Sequence, residues 1–270
     1  MRFDSKPTAT ILRLITAILS LFLLTGLCSC SDNSSLDIAL ALGAGRVIDE
    51  NQSHDDTSSP TPVIPKNGIV VCIDPGHGYD DGGTSSEFLG TLLEKDITLS
   101  VSMKFKDHLE SLGFDVIMTH DGTSIPSTSA DDGNNKFNPM ERVAFANALG
   151  TNIDCYISLH CNSYDTSDVS GTRVYYYEGA DKVSTGLDIA TVICDQVQED
   201  FPDNAVPTCE NYPYYVVKYT TVPAVLIEMG FVTNESDAAD LIDPQWQDDF
   251  AESLANAIDK YYKANSDNNT

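Results

Sequence analysis

The sequence predicts an α/β fold: a single domain with a mostly parallel central sheet flanked by helices. Three observations carry that expectation. Segments with strand and helix character alternate from Gly68 to Tyr262, the pattern of βα units that build parallel sheets. The stretches Ile69–Ile73 and Pro223–Ile227, the latter running into Glu228, are continuous apolar runs, as in strands buried on both faces. The helical segments repeat apolar residues at i, i+4 spacing, as in Ile97, Val101, Phe105 and Leu109.

The elements follow in order. The run Ile69 to Ile73 enters Asp74-Pro75-Gly76-His77-Gly78, where Pro and Gly end the strand in a tight turn. A Gly-rich loop, Tyr79 to Gly90, precedes a helix from about Leu92 to Leu112, closed by Gly113. Glu94 continues that helix's inward face three residues before Ile97. Phe114–Thr119 reads as the second strand and Asp121–Lys136 as a long polar loop. Asn138-Pro139-Met140-Glu141 carries an N-cap, a Pro at the first helical position and a Glu at N3. Ile153 to Asn162 is a strand ending at His160, Thr172 to Tyr177 is β-rich, and Ser184 to Val197 is helical. Tyr214 to Lys218 reads as a short strand, and a helix marked by Trp246, Phe250, Leu254, Ile258 and Tyr261 closes the chain.

The amino terminus has a different character. Arg2, Lys6 and Arg13 precede an apolar run from Leu14 to Leu27, short for a membrane span and suited to a secretory signal. Leu27-Cys28-Ser29-Cys30 resembles the lipobox of bacterial lipoproteins, with Cys30 as the acylated residue; cleavage near Gly26 to Ser29 and release is the alternative. The expected organisation is a signal peptide of lipoprotein type over 1–29, a disordered acidic, Ser- and Pro-containing tether over 30–66, a folded domain over 67–264 and a disordered tail over 265–270. The expected location is outside the cytoplasm, membrane-anchored through lipid at Cys30 or else secreted. Asp plus Glu number 41 against 15 Lys plus Arg, a formal charge of −26, which disfavours nucleic acid as a partner. Beyond the signal region stand Cys72, Cys155, Cys161, Cys194 and Cys209, with no C-x-x-C pair; Cys72 in the first strand and Cys194 in an apolar helical pattern read as small buried hydrophobes, and one disulfide is compatible with the other three, which the sequence does not select.

Three expected strand ends carry His77, His160 and Glu228. In a parallel sheet all three lie at one edge, where α/β folds bind ligands, and Glu94 opens the helix on that same edge. Two His and one Glu with an open fourth position is a catalytic zinc set, and the second Glu suits a general acid/base. Polar residues at unrelated turns are the alternative. His108 and His120 have no partner in this pattern and are expected at the surface.

The blocks Asp74-Pro75-Gly76-His77-Gly78, Leu93-Glu94-Lys95-Asp96, Ser158-Leu159-His160-Cys161-Asn162 and Val225-Leu226-Ile227-Glu228-Met229-Gly230-Phe231 occur in order, with Arg142 and Ala146-Asn147 between the second and third. Together they resemble the zinc-dependent N-acetylmuramoyl-L-alanine amidases of the amidase-3 family. The resemblance covers about Gly68 to Tyr262 and implies a phosphorylase/hydrolase-like zinc amidase fold. It implies one zinc per chain held by His77, Glu94 and His160, with Glu228 as catalytic acid/base. The implied reaction is hydrolysis of the amide between the lactyl group of N-acetylmuramic acid and L-alanine in peptidoglycan; separately, the protein is expected to act as a monomer. The alternatives are a zinc peptidase or carboxypeptidase on wall peptides, or an inactive peptidoglycan-binding protein of the same fold. Arg142, Asn162 and Lys218 are candidates for substrate contact or for bracing the loops. Tyr79 stands where the family usually has a second Gly. Cys161 stands in place of a common Ala and is expected to point away from the metal, since alternate strand residues face opposite sides.

Overall fold

The computed structural model describes residues 66–128, 133–179 and 186–267. The expected signal peptide and nearly all of the expected tether lie outside the described residues. Among the described residues six strands form one sheet: β1 (Val70–Pro75), β2 (Asp115–Met118), β3 (Cys155–Asn162), β4 (Arg173–Tyr176), β5 (Thr208–Asn211) and β6 (Ala224–Phe231), in the order β2-β1-β3-β6-β4-β5. The first four in that order are mutually parallel, which sets the carboxyl ends of β1, β3 and β6 side by side. The strand β4 runs antiparallel to β6, and β5 pairs parallel to β4. The sheet is therefore mostly parallel, with a reversed two-stranded margin.

Alternation on the strands divides the core in two. Val71, Ile73, Ile157, Leu159, Val225 and Ile227 join the apolar faces of α1 (Glu94–Ser111), α3 (Leu187–Asp200), α5 (Glu235–Ile242) and α6 (Pro244–Asp267). Cys72, Tyr156, Tyr175, Ala224 and Leu226 pack with α2 (Pro139–Leu149) and α4 (Tyr215–Tyr219) on the other side. Helices thus cover both faces, as parallel strands without a polar face require. The opening strand is fully buried at Val71, Cys72 and Ile73, which explains its unbroken apolar run.

The helix starts follow local chemistry. Asn138 caps α2 by accepting from the backbone N–H groups of Met140 and Glu141, and Glu141 returns to the Asn138 N–H at 2.7 Å. This capping box satisfies donors that a helix start otherwise leaves unpaired. At α1 the Asp96 carboxylate accepts from the Leu93 N–H at 3.0 Å, and Glu94 and Asp96 supply the negative charge favoured in a first turn.

Four features differ from the sequence expectation. Tyr215–Tyr219 is helical rather than extended; Val216 and Val217 are both buried in the core shared with α2, and that packing overrides their β preference. The strand β5 was not expected, because its half-exposed, polar Thr-Cys-Glu-Asn lacks an apolar pattern. The short helix α5 was not expected either; Asn234 caps it by accepting from Ser236 and Asp237. At the other end, α6 extends to Asp267, three residues past the expected domain boundary.

Candidate active site

A turn, a helix start and two neighbouring strands bring four chemistry-bearing side chains together. After β1 the backbone enters left-handed conformations at His77 (φ 61°), Gly78 (φ 118°) and Tyr79 (φ 57°). Such φ values are uncommon outside glycine and recur at functional sites. Tyr79 therefore occupies a position where glycine would be unstrained. Its conformation is held by its hydroxyl donating to the Ser124 carbonyl and by Lys95 donating to its own carbonyl at 2.6 Å. Gly78 and Asp81 exchange backbone hydrogen bonds at 2.9 and 3.0 Å, reversing the chain. The reversal sets the Asp81 carboxylate 3.0 Å from His77 Nδ1. Gly76 serves close approach: a Cβ there would lie 2.5 Å from the His160 ring and 2.6 Å from the Leu159 carbonyl oxygen.

Glu94 is the first residue of α1 and is 2% exposed. Its Oε2 lies 3.1 Å from His77 Nε2, and its Oε1 lies 3.2 Å from His160 Nδ1. The Thr84 N–H donates to Oε2 at 2.7 Å and the Cys161 N–H to Oε1 at 2.9 Å. Two backbone donors thus fix the carboxylate between two imidazoles. Burial alone would raise the Glu94 pKa, but hydrogen bonds and charge from His160 and His77 reverse it, holding the carboxyl well below its ordinary value. Burial alone would lower the His77 pKa; Glu94, and then Asp81, overcome it and raise the pKa.

The parallel register pairs His160 with Glu228 on adjacent strands, with a β-bulge just beyond, between His160 and Asn162. Bulges re-aim side chains at such places. Glu228 is 9% exposed, and among the described residues its Oε2 has no hydrogen-bond partner. Burial is the main cause that pushes its pKa up to about 7; the Glu94 charge adds to the rise, while His160 and His77 oppose it. A cavity of 230 Å³ is lined by His77, His160 and Glu228, with Phe137, Tyr214, Tyr215, Val216 and Leu226 among its other walls.

Ligand atoms of His77, Glu94 and His160 all lie within 4.8 Å of one another. Two imidazoles and one carboxylate are the donor types that suit a divalent transition metal with an open position. The bond from Asp81 to the remote nitrogen of His77 is the carboxylate–imidazole arrangement that orients metal-ligating histidines. The residues present therefore fit a zinc ion.

The remaining candidates occupy varied places. Arg142 is 3% exposed and donates from Nε to the Phe137 carbonyl at 2.8 Å, from Nη1 to Asp74 Oδ1 and the Pro75 carbonyl at 2.6 Å each, and from Nη2 to the His77 carbonyl. It clamps the turn that presents His77. Asn162 ends β3, where its Oδ1 accepts from the Ser163 N–H at 2.8 Å. Lys218 sits on α4 with its ammonium over the rings of Tyr177 (5.2 Å) and Tyr219 (5.3 Å). Cys161 is buried in the apolar core on the α1 face. His120 is not at the surface as expected: it is 5% exposed, bonds through Nε2 to the Pro75 carbonyl at 2.8 Å and meets the Phe137 ring edge-on. Because β2 pairs with β1, the turn after β2 falls beside Pro75. His108 is half-buried and pairs with Asp248 at 3.1 Å. Sequence reasoning missed Asp81 and the aromatic walls; the only signal for Asp81 was its place in a Gly-rich loop four residues after His77.

Residues 71–260 match the model of the N-acetylmuramoyl-L-alanine amidase family, Amidase_3. The chain belongs to this family. Among its curated relatives is the germination-specific N-acetylmuramoyl-L-alanine amidase of Bacillus subtilis, 30% identical over 218 residues, spanning 80% of this chain and 88% of that protein. Among solved structures, the amidase AmiC2 of Nostoc punctiforme is 29% identical with a TM-score of 0.61, covering 73% of this chain and 99% of that one. The catalytic domain of the amidase CwlV from Bacillus (Paenibacillus) polymyxa var. colistinus is 26% identical with a TM-score of 0.60, covering 72% and 98%. The amidase family thus accounts for the α/β architecture, and its matched span includes all four clustered residues.

Proposed function

We propose that this amidase hydrolyses the amide between the lactyl group of N-acetylmuramic acid and L-alanine in peptidoglycan, using one zinc ion held by His77, Glu94 and His160. The observation that carries the reading is the convergence of three metal-type donors beside a cavity wall that holds Glu228, whose Oε2 has no partner among the described residues. Bound there, zinc would polarise the scissile carbonyl and acidify water. The chain's own residues do the rest. Glu228, with a pKa near neutrality, takes a proton from the attacking water and delivers it to the departing nitrogen, as a general acid/base poised near the working pH. The carbonyl–nitrogen bond breaks, leaving a lactyl carboxylate and the free amine of L-alanine. Asp81 and the backbone donors at Thr84 and Cys161 hold His77 and Glu94 in their orientations. Arg142 fixes the turn beneath His77. Action on the wall requires export, which fits a signal peptide with lipid at Cys30; mass spectrometry of the mature amino terminus tests that part, and a free unmodified end opposes it.

Digestion of purified peptidoglycan tests the reaction. The amidase reading expects new L-alanine amino termini and unsubstituted muramic acid. Trimmed peptides on still-substituted glycans would show a peptidase instead, and no released product would show a binder. Metal analysis of the purified protein is expected to give one zinc per chain, lost in His77→Ala.

A further inference from the structure

Cys194 and Cys209 stand apart from the other three described cysteines beyond the signal region. Cys72, Cys155 and Cys161 are buried on strands β1 and β3. Cys194 lies on α3, one turn after Ala190, and Cys209 lies on the marginal strand β5. The Cys209 thiol donates to the Ala190 carbonyl at 3.1 Å, so it sits against the turn of α3 that carries Cys194. In an α-helix the Ala190 carbonyl also accepts from the Cys194 N–H one turn on, so the Cys209 sulfur lies beside the backbone that carries Cys194. Cys194 is 9% exposed and Cys209 is half-buried, so the pair lies near the surface.

We propose that Cys194 and Cys209 form a disulfide that staples the marginal strand β5 to helix α3. The oxidant is a small-molecule or protein disulfide met outside the cytoplasm, where such bonds persist. The Cys209 thiolate attacks one sulfur of that disulfide, and the oxidant's other sulfur leaves as a thiolate. The Cys194 thiolate then attacks the Cys209 sulfur of the mixed disulfide and displaces the second oxidant thiolate. Two cysteine thiols lose two electrons and two protons, and the oxidant's disulfide becomes two thiols. The neighbouring Cys194 thiol lowers the Cys209 pKa against the opposing effect of burial, which favours Cys209 as the first nucleophile.

The staple has a structural consequence. Among the described residues β5 is bonded to the sheet through β4 alone. Just after it, Tyr212 and Tyr214 pack against Tyr175, with ring centroids 6.0 and 5.0 Å away, and Tyr214 lines the cavity beside Glu228. Fixing β5 therefore steadies one wall of that cavity. The bond also closes the segment between α3 and β5, restricting the unfolded chain.

The test treats the purified full chain with oxidised glutathione, blocks free thiols by alkylation and maps peptides after cleavage at glutamate. Trypsin would leave both cysteines on one peptide, whereas Glu199 lies between them. The expected result is a linked Cys194–Cys209 pair, with Cys72, Cys155 and Cys161 alkylated only after unfolding. The oxidised protein should melt about 5–10 °C above the dithiothreitol-treated protein. Cys209→Ser and Cys194→Ala should each abolish that reductant-dependent difference. Glutathione retained on either cysteine without linkage, a different pairing, or a reductant-dependent shift that survives in Cys209→Ser would each overturn the proposal. The wild-type measurement stands even if a variant fails to fold.

Discussion

Two clusters of buried charge lie within a few residues of each other at the carboxyl edge of the sheet, and they are finished differently. In the first, Asp74 is fully buried and saturated. Its Oδ1 accepts from Thr119 and from Arg142 at 2.6 Å each, and its Oδ2 accepts from Ser158 at 2.7 Å. Burial would raise its pKa, but the Arg142 charge and these hydroxyls hold it below the ordinary value. In the second, Glu94 is bonded by two histidines and two backbone donors, while Glu228 lines the cavity beside those histidines with an unpartnered oxygen and a pKa of about 7. A saturated buried charge holds structure and titrates far from neutrality. An unsaturated one keeps a site for a proton, which is what catalysis of hydrolysis needs.

Four measurements would break or sharpen that contrast. The largest effect is expected at Glu228: Glu228→Gln should lower the rate of peptidoglycan cleavage about 100- to 10,000-fold while keeping the metal and the melting temperature. Cleavage near the wild-type rate would remove Glu228 from the chemistry. Next, Asp74→Asn should destabilise the fold by about 3–5 kcal/mol by leaving Arg142 buried without its charge partner, lowering the melting temperature by about 10 °C; an unchanged melting curve would mean Asp74 is not the structural member of the pair. Third, Asp81→Asn should weaken zinc binding about 10- to 100-fold in a competitive chelator titration, with little change in stability; unaltered affinity would show that His77 needs no orienting carboxylate. The smallest effect concerns acid. The folded pKa of Asp74 is depressed, so its stabilising contribution is fully present above its unfolded pKa, about 3.9, and is lost as pH falls through the folded value. Melting temperatures measured from pH 6 to pH 2 should fall less steeply in Asp74→Asn than in wild type; parallel curves would exclude Asp74 as a source of that acid sensitivity.

The sequence made the two clusters unequally legible. His77, Glu94, His160 and Glu228 were visible because each sits where an apolar run or a helix start stops, and a parallel sheet aligns such ends. Asp74 was visible only as part of the opening block, and its saturation was not, since Thr119, Arg142 and Ser158 come from three separate elements. Asp81 was hidden because its contact with His77 depends on left-handed backbone at His77 and Tyr79, which residue types other than glycine do not signal. His120 read as a surface residue because its burial arises from the pairing of β2 with β1. The short helix at Tyr215–Tyr219 was misread because two valines favour strand when taken locally.

By itself the sequence determined the α/β class, the capped start of α2, the amphipathic closing helix and the identity of the four clustered residues. These depend on local periodicity, capping chemistry and the rule that parallel strands present their ends together. The tertiary structure alone decided the reversed direction of β4 and β5, the two backbone donors to Glu94, the clamp of Arg142 on the His77 turn and the packing of Cys209 on the α3 turn that carries Cys194. Each of these joins residues on separate elements, and their proximity follows from strand order and packing, which no local pattern encodes.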